Sequence, residues 1–132
     1  MKSIIDTAEE IGSFGTLIES LKKADLAGKL RGRGPFTVFA PTDDAFSNIP
    51  KDTLEEILGD RKRLLIIMSY HVVPKRMMSK DMKKSSSVRT LQGSSLLIDV
   101  SEGVMVNKAR VLKTDIECSN GVMHIIDSVL LP

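Results

Sequence analysis

The chain has 132 residues, 42% hydrophobic and 27% charged, with 19 basic against 17 acidic side chains and a formal charge of +2. That size suits one domain, residues 1–132, able to hold a core without staples; the charge is too balanced for a dedicated nucleic-acid binder. The single cysteine, Cys118, excludes an internal disulfide and any cysteine-rich zinc or iron–sulfur site within one chain.

The first third reads as helical. Ser3 is placed to cap a helix that runs through Ile11 and ends at Gly12. Asp6, Glu9 and Glu10 stand where a secretory leader needs an apolar stretch, so no targeting segment is expected. Ser13 is placed to cap a second helix, with Phe14, Leu17, Ile18 and Leu21 on one face and Lys22 and Lys23 near its end. Leu26 and Leu30 mark one more turn. Arg31-Gly32-Arg33-Gly34-Pro35 reads as a loop by its glycines and proline.

The middle mixes strand and helix. Residues 36–40 read as a strand, and Pro41, lacking an N–H, breaks it. Thr42 caps a short helix over 42–47, and Asp43 and Asp44 suit its first turn. Asp52 and Glu55 have capping-box spacing ahead of a helix with Leu54, Ile57 and Leu58 inward, closed by Gly59. Asp60 caps the next helix, which carries Leu64, Leu65, Ile67 and Met68. The aliphatic run from Leu64 to Met68 is far short of the ~20 residues of a membrane span. Tyr70–Val73 reads as a strand ended by Pro74. Adjacent strand residues face opposite sides, so one of Tyr70 and His71 is expected to be buried.

A basic stretch follows: Lys75, Arg76, Lys80, Lys83 and Lys84 against the lone acid Asp81. It is either a solvated loop or a patch for polyanions such as acidic polysaccharide or anionic lipid. Its interleaved Met77, Met78 and Met82 either cover the core or adapt to a partner.

The last third reads as strands. Val88–Leu91, a Gln92-Gly93 turn and Ser95–Val100 form a hairpin with Leu96, Ile98 and Val100 on one face. Glu102-Gly103 turns into a strand at 104–106, and another runs over 111–116. Ser119-Asn120-Gly121 is a hairpin signal, and residues 122–131 close the chain with Val122, His124 and Ile126 on one face. Helices first and mostly antiparallel strands later give an α+β fold rather than a βαβ array.

No phosphate-cradling loop and no serine-hydrolase elbow is present. His71, His124 and Cys118 carry the remaining chemistry. The histidines lack metal-ligand spacing, Cys118 suits a small buried hydrophobe, and no cofactor is expected.

Three segments stand in family order. Thr37–Phe46, Tyr70–Pro74 and Asn120–Pro132 resemble the first signature, the Tyr-His motif and the second signature of the fasciclin family, specifically its FAS1 domain. Leu91–Gly93 and Val106–Ala109 sit where similar segments occur. The resemblance implies a wedge of β-strands flanked by helices. It implies a non-enzymatic module of cell adhesion that contacts a protein, matrix or carbohydrate partner. It implies an extracellular or cell-surface location, although the missing leader leaves the cytoplasm open. It points to Asp115-Ile116, where animal relatives carry a similar pair assigned to integrin recognition, and to Tyr70 and His71 as binding candidates. The structural alternative has Ile116 in the core and Asp115 satisfying turn amides. Small-ligand, lipid or polysaccharide binding, or an enzyme with an unrecognised site, stand as the other readings.

Overall fold

The computed structural model describes residues 2–101 and 103–132. Helices α1 (Ile4–Ile11), α2 (Gly15–Lys23) and α3 (Ala27–Arg31) precede strand β1 (Phe36–Pro41). Next come α4 (Asp43–Ser47), α5 (Lys51–Gly59), α6 (Arg61–Ser69), β2 (Val72–Val73) and the single turn α7 (Ser79–Met82). Strands β3 (Ser87–Arg89), β4 (Ser95–Asp99), β5 (Met105–Val106), β6 (Ala109–Cys118) and β7 (Gly121–Ile126) complete the chain. All seven strands join one sheet in the order β2-β1-β7-β6-β5-β4-β3. Among the strand pairings of the described residues, β1–β7 is parallel and the other five are antiparallel. The α+β architecture expected from the sequence is therefore present.

The local capping chemistry explains most helix starts. Ser3 Oγ accepts from the Asp6 amide, Thr42 Oγ1 from that of Ala45, and Asp60 Oδ1 from that of Arg63. Gly12 ends α1 at φ 86°, a conformation that costs glycine little. Two expected caps are replaced. Ser13 does not cap α2. Instead Asp43, at the head of α4, accepts from the Thr16 amide at 2.9 Å and the Gly15 amide at 3.4 Å. Asp52 does not cap α5, which starts from Pro50 without a side-chain cap.

The β1–β7 pair separates two apolar layers. Phe36, Val38, Ala40 and Met123 face the helices and pack with Ile5, Phe14, Leu17, Leu64 and Met68. Phe39 and Ile126 face the other way, against Val73, Met77, Met82, Leu96 and Val106. β1 is buried along its whole length, as expected of a parallel strand covered on both faces. Each large side chain so enclosed stabilises the fold by about 1.5–3 kcal/mol.

Two further expectations change. Tyr70 and His71 do not belong to a strand: Tyr70 caps the end of α6 and His71 is in the turn before β2. Being in a turn, they escape strand alternation, and both are buried. The strand expected at 104–106 is Met105–Val106. Its preceding turn involves Glu102, which lies outside the described residues.

Candidate functional site

His124 sits at the centre of β7 with no exposed surface, its ring stacked on Phe39 at a centroid distance of 5.5 Å. Its Nδ1 accepts from the Asp115 amide at 3.1 Å, and its Nε2 lies 2.7 Å from the Met77 carbonyl. One nitrogen must accept and the other donate, which fixes the neutral ring with its proton on Nε2. Burial holds this histidine below its ordinary pKa, against the smaller opposing pull of the Met77 carbonyl and Asp115.

Asp115 occupies a bulge in β6, where the register against β7 shifts between Lys113 and Ile116. Its φ of 61° is left-handed, a conformation that Asp tolerates better than most residues. The carboxylate clasps Ser79: Oδ1 accepts from its amide at 2.7 Å and Oδ2 from its hydroxyl at 2.5 Å. Burial pushes this carboxyl up, but the two Ser79 donors, with Lys80, outweigh it and hold the group below its ordinary value. The bulge thus does two things. It aims the Asp115 amide at His124, and it ties α7 to β6. Ile116 is half-buried and packs against the helix-side core.

His71 is held in the opposite tautomer. Nδ1 donates to the Ile67 carbonyl at 2.8 Å, and Nε2 accepts from the Leu130 amide at 2.9 Å. Complete burial lowers its pKa from 6.5 to about 4. Tyr70 Oη donates to the Ser95 carbonyl at 3.1 Å and accepts from Asn107 Nδ2 at 3.0 Å. Asn107 in turn holds β4, with Oδ1 accepting from the Leu97 amide at 2.8 Å. The Tyr-His pair therefore bolts α6 to β4 and to the C-terminal segment. Cys118 is buried, its thiol pushed up by burial, and its Sγ is directed to the Ile116 carbonyl. No group of three or more His, Cys, Asp or Glu side chains suited to a metal ion occurs among the described residues.

The basic stretch divides by side-chain type. Met77 and Met82 are buried in the second core layer, and Lys75, Arg76, Lys80, Lys83 and Lys84 are exposed. Thr37, fully buried in β1, anchors the segment: its Oγ1 donates to the Lys75 carbonyl at 2.6 Å and accepts from the Met77 amide at 2.8 Å. Arg76 pairs with Glu117 at 2.8 Å and donates to the Gly121 carbonyl at 3.3 Å.

Sequence reasoning missed the second role of Asn120. Its Oδ1 accepts from the Ile4 amide at 3.1 Å, and its Nδ2 donates to the carbonyls of Leu30 at 2.6 Å and Gly32 at 2.9 Å. The Asn-Gly pair signalled a turn; that its amide also clamps α1 and α3 had no local signal. Gly121 and Gly34 are required by close approach. A Cβ on either would lie 1.9 Å from a carbonyl oxygen, that of Phe36 or Asn120 respectively.

Comparison with known proteins agrees with this architecture. The profile of the Fasciclin domain matches residues 12–132. Protein sll1483 of Synechocystis sp. is 43% identical over 133 residues, which cover 98% of this chain and 73% of that protein. Protein sll1735 of the same organism is 39% identical over 131 residues, covering 99% and 98%. A solved FAS1 domain pair from the insect cell adhesion molecule fasciclin I superposes with a TM-score of 0.82 at 21% identity, over 99% of this chain and 51% of that one. This chain thus spans about half of the domain pair, and that likeness speaks for the fold.

Proposed function

The chain belongs to the fasciclin domain family, and on that footing we propose that it is a non-enzymatic interaction module. It would bind a protein, matrix or carbohydrate partner at the cell surface or outside the cell. The observation that carries this reading is how the reactive side chains are used. His71 and His124 are enclosed separately, and each spends both ring nitrogens on backbone groups. Cys118 is buried, with a raised pKa. A general base needs a free nitrogen within reach of a substrate, and neither histidine has one. The segment from Lys75 to Lys84 exposes five cations. Adhesion is the use named for fasciclin I, and surface complementarity is the mechanism this arrangement serves.

Asp115 enters the reading indirectly. With its carboxylate on Ser79, it would set the path of the basic segment. No helix among the described residues is long and apolar enough to cross a membrane.

The test uses the folded protein immobilised on a sensor, challenged with surface proteins and polysaccharides shed by the cells that make it. Retention above that on a heat-unfolded coat supports the module. Equal retention on both coats, or chemical turnover of the retained species, contradicts it.

A further inference from the structure

Two basic segments far apart in sequence meet beside the β6–β7 turn. Arg31 and Arg33, at the end of α3 and in the loop after it, line one open hollow together with Arg76 from the segment after β2. The hollow measures about 590 Å³, within the ~300–1,000 Å³ typical of ligand sites. The pairing of Phe36 with Gly121 in parallel register brings them together, because it sets the Arg31–Pro35 loop against the Ser119–Gly121 turn. The Asn120 clamp on Leu30 and Gly32 fixes the loop in place.

The arginines are held without being exhausted. Arg31 pairs with Glu9 at 3.2 Å and Asp6 at 3.7 Å, and Arg76 pairs with Glu117. None of these three carboxylates lines the hollow. A guanidinium carries five N–H donors, and Arg76 spends two nitrogens on Glu117 and the Gly121 carbonyl. Arg33 is exposed and has no ion pair among the described residues. Neighbouring carboxylates thus steady two forks whose remaining donors are free, beside a third that is unpaired.

We propose that this hollow is a binding site for an anionic saccharide, in which the arginines grip carboxylate or sulfate groups. The lining favours a hydrophilic ligand. Besides the arginines it consists of glycine, proline, serine and asparagine, with no large apolar side chain. A peptide interface draws its affinity from aromatic or aliphatic anchors in pockets, and none is offered here. Planar guanidinium forks match the two oxygens of a carboxylate or sulfate. Ser119 lines the hollow beside the arginines and adds a hydroxyl for a sugar. Three arginines on one hollow give a chain of acidic sugars more than one charge to meet. This assignment names the partner chemistry for the interaction module proposed above and rests on that reading.

The experiment is a calorimetric titration of the intact protein with four probes. These are a sulfated heparin-type hexasaccharide, a galacturonate hexamer, neutral maltohexaose and hexaglutamate. Binding of a sulfated or carboxylated saccharide is expected, weakening as NaCl rises from about 50 to about 300 mM. Arg33→Ala is expected to weaken it about tenfold with an unchanged melting temperature, and Arg33→Lys to restore only part of it. Lys62→Ala, on α6 away from the hollow, is expected to leave it unchanged. Equal binding of maltohexaose or of hexaglutamate overturns the proposal, as does an equal loss in Lys62→Ala. Absence of any saccharide binding also overturns it. If the folded coat still retains a surface partner in that case, the module reading stands and only the saccharide assignment falls.

Discussion

The β1–β7 pair and the arginine-lined rim beside it use polar residues in opposite ways. Within the pair, Thr37 and His124 are fully buried, and every hydrogen-bonding atom of the two side chains is engaged. On the rim, Arg33 and the lysines stand in solvent with donors to spare. A buried polar group without a partner costs about 1–3 kcal/mol, whereas an exposed charge costs little to keep or lose. The segments that mark the family are therefore the ones the fold most needs. On the proposed reading, recognition is left to residues that stability hardly constrains.

The contrast breaks most visibly at Gly121. A Cβ there would meet the Phe36 carbonyl oxygen at 1.9 Å, and its φ of 158° suits glycine. Gly121→Ala should cost ~3 kcal/mol or more, seen as loss of a cooperative melting transition. An unchanged melting temperature would mean that the strand pair is not tightly seated.

Acid probes the enclosed histidines. His71 has a folded pKa of about 4 against 6.5 unfolded, so the unfolded chain binds the proton first as pH falls. Its stabilisation is complete above pH 6.5 and disappears between there and about 4. At ~1.36 kcal/mol per pH unit this amounts to about 3 kcal/mol by pH 4. His124 is shifted in the same direction and adds to the loss. Asp115, held below its ordinary 3.8, extends the loss to lower pH still. Urea denaturation at pH 7 and pH 4 measures the loss from the histidines; flat stability across that range would place both in solvent.

The clasp between the two regions comes next. Asp115→Asn keeps a residue that tolerates φ of 61° but cannot accept from both Ser79 donors. It should lower stability by about 1.5 kcal/mol and speed hydrogen exchange at the Ser79 amide. Tyr70→Phe removes only the hydroxyl that joins Ser95 and Asn107, and should cost about 1 kcal/mol by denaturant midpoint. At the far end of the scale, Arg33→Ala should change stability by less than ~0.5 kcal/mol.

What the sequence disclosed follows this same division between local and distant physics. Ser3, Thr42 and Asp60 cap their own helices, so their roles were legible from residues three positions away. Ser13 and Asp52 carry equally good local signals and do not cap. At α2 a carboxylate brought from residue 43 by the fold reaches the open amides instead. Tyr70-His71 has strand composition, yet the end of α6 claims it, because Tyr70 continues the helical hydrogen bonding to Ile66 and Ile67. The Asn-Gly turn was evident, but the Asn120 clamp was not, since its partners lie 88 to 116 residues away. For the candidate site, the Lys75–Lys84 stretch was visible as charge. Its junction with Arg31 and Arg33 was not, because that arises only when β1 pairs with β7.

On the proposed reading, partner chemistry belongs to the rim while the strand pair supplies rigidity. Amide chemical-shift mapping during titration with a bound anionic oligosaccharide tests it most directly. Shifts are expected at Arg31 to Gly34, at Lys75 and Arg76, and at Ser119 to Gly121, with the amides around His71 and His124 unmoved. Shifts centred on Tyr70, His71, Asp115 or His124, with the Arg31–Gly34 loop silent, would contradict it.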